Sequence, residues 1–389
     1  MNLTRFPNLF ALFCLVGSFL VAADLSTFPT LPQPGRIFTF PKDHGSHPDF
    51  AIEWWYVTGH LRADDGERFG FQSTFFRRAL SPRDASLSNS DVSFASDEIH
   101  LAHMALLDIR TGQFLQEERL NRRGWDASAS TSNLHVRNGN WRLQISNPVK
   151  ENRLDLPTNT LQQTSILLEG SIHSDASWNF ILTPRKSLVF FGTNGVSRKA
   201  AEPAASSHYL TWPRLDLTGI LTFKGKPRNI TGIAWMDHEI SSSQLGAHQV
   251  GWDWTCIQLD DGHELMSYRM RRSDGFTDPF STLAWIDPQG TVQHWGPEAF
   301  QWVTEAVWKS PRTGASYPSR VLITAPNPRG GPPRSLRLKP LAADQEISGG
   351  LSGIPYWEGA CEVLDETGKV IGRAFLEMTG YAGELRRAL

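Results

Sequence analysis

Six glycines stand in short polar breaks between runs in which apolar and polar residues alternate: Gly66 in "HLRADDGERFGFQSTFF", Gly112 in "LLDIRTGQFL", Gly139 in "HVRNGNWRL", Gly262 in "IQLDDGHELMSYRM", Gly290 in "AWIDPQGTVQHW" and Gly368 in "EVLDETGKVIG". The pairs Asp65-Gly66 and Asp261-Gly262 supply the positive φ angles of tight hairpin turns. Alternation with a period of two puts every second side chain on one face, which is the signature of a half-buried strand. Helical periodicity is scarce from residue 36 onward. The chain therefore reads as all-β, with consecutive strands paired antiparallel, and a meander of this kind invites barrel closure.

A chain of 389 residues has room for two domains. A weak internal repeat supports two similar ones: "WWYVTGHLRADDGERFGF" from Trp54 resembles "WDWTCIQLDDGHELMSY" from Trp252 once a short gap is allowed before the Asp-Gly turn. The expected division is an N-terminal β domain over residues 24–240 and a C-terminal one over residues 241–389. Residues 197–207, "SRKAAEPAASS", and 327–334, "NPRGGPPR", read as exposed loops rich in small residues, Pro and Gly.

The start of the chain combines Arg5, an apolar run from Leu9 to Val21 and small residues at Ala22 and Ala23. That is the pattern of a cleavable secretory signal over residues 1–23, with the mature chain beginning at Asp24, which implies export across the inner membrane to the periplasm. Phe13 before Cys14 argues against a lipid anchor, and no later stretch is long enough to cross a bilayer as a helix. In the mature chain Cys256 and Cys361 either pair or stay as buried thiols. The 38 basic and 40 acidic residues leave a net charge of −2, too weak a field to draw in nucleic acid. Fourteen tryptophans and 22 phenylalanines suit a generous core or a pocket for a small apolar or amphipathic ligand.

Chemistry concentrates in two stretches. In "KDHGSHPDFAIEWWYVTGHL", Glu53, Trp55 and Val57 share one face of a strand, and Trp54, Tyr56 and Thr58 the other. An acid beside indoles must be paired or kept neutral, so Glu53 is either a functional acid or a salt-bridge partner of Arg77 or Arg78. In "GIAWMDHEIS", Trp235, Asp237 and Glu239 share a face and Met236 and His238 the other. Carboxylates at i and i+2 lie roughly 6 to 7 Å apart at the backbone, close enough for one to raise the pKa of the other. A carboxyl kept protonated near neutrality serves as a general acid, and an adjacent His moves the proton onward. The alternative is that Asp-His-Glu simply ends the strand with solvated side chains. The pairs His44/His47 and His100/His103 do not read as a metal site, because there is no HExxH helix and no set of thiolates. A GxSxG elbow and a glycine-rich phosphate loop are also missing, so no cofactor is expected.

The blocks "FPKDHGSHPDFAIEWWYVTGHL", "FQSTFFR", "AHMALLD", "TGIAWMDHEISSSQL", "GWDWTCIQLDDGHELMSYRMR", "DQEISGG", "PYWEGACEV" and "EMTGY" together resemble the carotenoid 1,2-hydratase (hydroxyneurosporene synthase) family and its secreted AttH-type, lipocalin-like relatives, often called predicted secreted hydrolases. The resemblance implies two lipocalin-like antiparallel β-barrels packed together and a hydratase or hydrolase working by acid-base chemistry. In the hydratases an acid protonates an isolated carbon-carbon double bond and water captures the cation. Carried onto matching positions, this makes Asp237 the proton donor, with His238 and Glu239 tuning it and Glu53 as a further acid. It also makes Trp54, Trp55, Tyr56, Arg77, His103, Trp235, Trp252 and Trp254 the substrate pocket. A non-catalytic carrier of a lipophilic ligand is the competing expectation. The leader separates this chain from pigment synthesis at the cytoplasmic membrane, so the carotenoid substrate is not carried over.

Overall fold

The computed structural model describes residues 30–80, 97–146, 164–383 and 385; the expected leader, residues 1–23, lies outside them. The first sheet holds β1 (Ile52–Ala63), β2 (Arg68–Ala79), β3 (Glu98–Asp108), β4 (Gln113–Arg122), β5 (Ala127–Ala129), β6 (His135–Asn138), β7 (Trp141–Ile145), β8 (Ile166–Ile172), β9 (Ala176–Pro184), β10 (Val189–Phe191), β11 (Ser197–Arg198), β12 (Ser206–Phe223) and β13 (Lys226–Ser243). The second holds β14 (Gln249–Leu259), β15 (Glu264–Arg272), β16 (Thr282–Ile286), β17 (Val292–Trp295), β18 (Gln301–Lys309), β19 (Ser316–Ala325), β20 (Arg334–Pro340), β21 (Glu346–Ile347), β22 (Tyr356–Leu364) and β23 (Val370–Met378). The chain passes from one sheet to the other between Ser243 and Gln249.

All six glycines of the sequence pattern sit in hairpin turns at positive φ, from 64° at Gly139 to 92° at Gly290. The first sheet runs β4-β3-β2-β1-β13-β12-β9-β8-β7-β6-β5, so the first and last long strands of the unit lie side by side at its centre. Its ends curl toward each other. Asn121 on β4 donates to Asn138 on β6 at 2.6 Å, and the Arg119 guanidinium lies 3.9 Å from the centre of the Trp141 ring. This nearly closed barrel is filled by Trp55, Phe71, Trp141, Leu168, Phe180 and Leu217, each at most 1 % exposed. The second sheet, β17-β16-β15-β14-β23-β22-β20-β19-β18, repeats the plan as a half-barrel around Leu265, Trp285, Tyr317, Ile323 and Leu338.

Two features depart from the sequence reading or resolve it. The stretch 197–207 is an exposed loop only at its tip, residues 201–203: its ends form β11 and the start of β12, and Ser197, Lys199, Ala200 and Ala205 are buried. Small residues there allow close packing rather than mobility. Cys256 and Cys361 are free, buried thiols.

The two units dock through the outer face of the first barrel, where Tyr56, Tyr209 and Trp235 meet Trp254, Ala360 and Phe375 of the second. Where β2 meets β22, a Cβ on Gly70 would lie 2.6 Å from the Ala360 Cβ. Gly70→Val is therefore expected to cost about 1–3 kcal/mol, since a well-packed interface cannot take the added methyls without separating the sheets. Chemical denaturation checks this, and an unchanged midpoint would show that the two units give way freely.

Candidate functional site

Directly opposite residues in an antiparallel pair point to the same face, so register alone assembles the site. Tyr56 on β1 stands opposite Asp237 on β13, and Trp54 opposite Glu239. On the other sheet Trp254 on β14 stands opposite Glu377 on β23, which in turn stands opposite Glu358 on β22. These side chains face one another across a cavity of about 290 Å³ between the two units, with Trp252, Tyr209, Tyr356 and His103 also in its wall.

Asp237 is 2 % exposed and receives three hydrogen bonds: from Tyr209 Oη at 2.8 Å, Thr211 Oγ1 at 2.5 Å and Trp235 Nε1 at 2.7 Å. Tyr209 is itself fixed by Trp254 Nε1 at 2.9 Å, a bond from the second unit to the first. Burial pushes the Asp237 carboxyl up to about 7 against the pull of these donors, with the Glu239 charge adding to the rise. Glu239 accepts from Ser207 and has the Lys199 ammonium at 3.2 Å, which neutralises it. Glu377 accepts from Trp252 Nε1 at 2.9 Å, and burial raises it to about 7. Burial and the charge of Glu377 push the Glu358 carboxyl well above the usual carboxylate value; its Oε1 accepts from Tyr56 Oη and its Oε2 has no partner among the described residues. Among the described residues no Lys or Arg forms a salt bridge with Asp237, Glu358 or Glu377, in contrast to Glu239 with Lys199.

Of the pocket residues expected from sequence, Trp54, Tyr56, His103, Trp252 and Trp254 line this cavity with the acids Asp237 and Glu239. Trp235 lies just behind them, 1 % exposed, bonded to Asp237 and packed edge-on to Trp254. His103 reaches Tyr356 Oη through Nδ1 at 2.7 Å and has Glu118 at 3.1 Å from Nε2.

Glu53, Trp55 and His238 lie on the other side of the same sheet, as the period of two requires. The Trp55 ring stacks on His238 at 4.8 Å inside the barrel, and His238 Nε2 meets Glu53 Oε1 at 2.8 Å. Glu53 is fully buried among His47, Ser46 and the Arg77 guanidinium, whose Nε stands 3.2 Å from Oε2. Arg77 borders the cavity but spends its donors on Glu53, Glu98 and the carbonyls of His47 and Phe50. Burial alone would raise Glu53; hydrogen bonds from His238 and His47 instead hold it well below the usual carboxylate range. Glu53 and His238 thus touch neither the cavity nor Asp237, and the salt bridge with Arg77 accounts for the acid. Donor atoms of His47, Glu53 and His238 lie within 4.8 Å of one another, a spacing compatible with a metal ion. Each is already hydrogen bonded within the cluster, and the adjacent guanidinium opposes a cation.

Glu358, Glu377, Tyr209, Tyr356 and Lys199 were not singled out from sequence. "PYWEGACEV" and "EMTGY" carry both glutamates, but their juxtaposition needs the β22–β23 register.

A family model described as AttH-like matches residues 31–381. Among solved structures, an AttH-assigned protein of Nitrosomonas europaea is similar at 32 % identity and a TM-score of 0.76, over 90 % of this chain and 99 % of that one. Kievitone hydratase of Nectria haematococca shares the fold at 11 % identity and a TM-score of 0.64, over 92 % of this chain and 99 % of that one. CghA does so at 12 % identity and a TM-score of 0.50, over 92 % of this chain and 96 % of that one. Among curated proteins no sequence match was found. With the match running through both sheets and every strand around the cavity, the chain belongs to the AttH-like family.

Proposed function

We propose that this chain is an exported acid-base enzyme of the hydratase type, which adds water across a carbon-carbon double bond of an apolar or amphipathic small molecule held between its two barrels. The observation that carries this reading is Asp237: a carboxyl without a salt-bridge partner among the described residues, in an aromatic cavity, protonated up to about pH 7, with three donors arranged to receive its anion. A good acid needs both properties, a proton retained at rest and a conjugate base that is stabilised once the proton has gone.

In the reaction the π pair of the double bond takes the Asp237 proton to form a new C–H bond. Positive charge develops on the neighbouring carbon beside the rings of Trp54, Tyr56 and Trp254. Water attacks that carbon through its oxygen and gives up a proton to a carboxylate in the same wall, for which Glu377, titrating near Asp237, is suited. One proton then returns from Glu377 to Asp237, and the sum is alkene plus water to alcohol. The hydratase similarity of the fold agrees with this chemistry.

Incubation with a panel of trisubstituted alkenes carrying apolar tails, in ¹⁸O-labelled water, tests the reading by mass spectrometry. Incorporation of one ¹⁸O with a mass gain of one water is the expected result. A co-purifying molecule that is bound and released unchanged, with no label in any panel member, would make the chain a carrier instead.

A further inference from the structure

The internal repeat extends further than its aromatics. Trp54 and Tyr56 correspond to Trp252 and Trp254, and the residue opposite the second aromatic is Asp237 in the first sheet and Glu377 in the second. Each barrel thus contributes, from its last strand, one acid to the same cavity. Glu358, opposite Glu377, adds a third, and its Oε2 is buried without a partner among the described residues, in a residue 1 % exposed that lines the cavity. Three carboxyls that form no salt bridge among the described residues, one with an orphan oxygen, are expensive to keep in an apolar wall. A neutral hydrocarbon gives them nothing in return. A positive centre satisfies all three and is attracted by the surrounding indole and phenol rings as well.

We propose that the cavity is a site for an organic cation on an apolar chain, an alkylammonium ion in its stable form, with the positive centre among Asp237, Glu358 and Glu377 and the chain against Trp54, Tyr56 and Trp252. The proposal rests on the hydratase reading in one respect: the groups that hold an ammonium ion are those that would stabilise positive charge on a carbon during hydration. Lys199 also lines the cavity and its charge reaches Glu377, but Glu239 at 3.2 Å offsets it, which leaves the three carboxyls in excess. Binding shifts the carboxyls toward their ionised forms, so it releases protons. The titratable and charged groups packed around Glu358 and Glu377 include Tyr56 from β1, Asp237 and Glu239 from β13, Cys256 from β14, Cys361 from β22, Tyr356 with Glu118 behind it, and Lys199.

The test is calorimetric titration of the full mature chain with decyltrimethylammonium, decyl sulfate and decanol, each below its aggregation limit, in buffers of different ionisation enthalpy. Decyltrimethylammonium is expected to bind about tenfold or more tighter than either of the others, with proton release. Glu358→Gln and Glu377→Gln should each lower its affinity by about tenfold while leaving that of decanol within about twofold, which also shows that the cavity is intact. Decyl sulfate or decanol binding as tightly as the cation, or a cation preference that survives in both variants, overturns the proposal. Labelled-water uptake is scored separately on the same preparation. Hydration without cation preference removes this inference and keeps the hydratase; cation preference without hydration keeps the site and makes the protein a carrier of cationic amphiphiles.

Discussion

Asp237→Asn is expected to lower turnover by about 10²- to 10⁴-fold, the usual worth of a positioned general acid, while raising stability at pH 8. The carboxamide keeps the shape and an acceptor for Thr211 and Trp235, and Tyr209 can turn its hydroxyl to accept from the new amide. What it lacks is the proton. In the wild type the rate should peak near pH 7, falling at higher pH as Asp237 loses its proton and at lower pH as Glu377 gains one and can no longer accept the proton of water. Glu377 also titrates at about 7, so the profile reports the coupled pair rather than one residue.

The stability half of this prediction follows from linkage. The unfolded Asp237 carboxyl loses its proton near 3.8 and the folded one near 7, so the folded state binds more protons in between and stability falls as pH rises across that interval. The loss amounts to at most about 4 kcal/mol, three pKa units' worth, and an asparagine is spared it. Melting temperatures of wild type and Asp237→Asn should therefore agree near pH 4 and separate by pH 8, with the variant higher. Equal melting temperatures at both values would mean that the three donors already hold Asp237 as an anion, and the acid role would fall with them.

The strands were legible because their signals are local. Gly66, Gly112, Gly139, Gly262, Gly290 and Gly368 mark hairpin turns through their own backbone freedom, and the period of two assigned Glu53 and Trp55 to one face of β1 and Trp54 and Tyr56 to the other. Sequence could not say what each face looks at. Grouping Glu53 with Asp237 joined side chains that the sheet itself separates, because the alignment of β1 with β13 brings together residues some 180 positions apart in the chain. Glu358 and Glu377 were harder still: on either side of an ordinary hairpin a glutamate reads as a solvated position, and only docking of the second sheet on the first turns that exposed face into a cavity wall. Lys199 went unnoticed for the opposite reason, since Ala, Pro and Ser neighbours suggest a loop on the surface rather than a close-packed strap carrying a cation inward.

Arg77→Ala is expected to destabilise the first barrel by about 3–5 kcal/mol, the cost of leaving a buried charge without its partner. The guanidinium is fully buried and makes four contacts: Glu53 at 3.2 Å, Glu98 at 3.1 Å, and the carbonyls of His47 at 2.8 Å and Phe50 at 2.6 Å. Two of these acceptors belong to the segment before β1, so the same residue ties that segment to the barrel. Glu53→Gln should be milder and should partly rescue Arg77→Ala, because removing the stranded charge removes most of the penalty. The cluster also sets a pH limit. Glu53 and Asp43 are held well below their ordinary values of 4.5 and 3.8, so their contribution is present above those values and is lost as pH falls below about 4.5. His47 is raised and His238 lowered from 6.5, so their contributions change in opposite directions near neutrality: that of His47 fades as pH rises, and that of His238 as pH falls. Urea unfolding of the two single variants and the double variant at pH 7 measures the coupling, and because Arg77 and Glu53 face away from Asp237, activity per folded molecule should survive in Glu53→Gln. Loss of turnover in a Glu53→Gln protein that unfolds normally would place Glu53 in the chemistry after all, acting through the strand it shares with Tyr56.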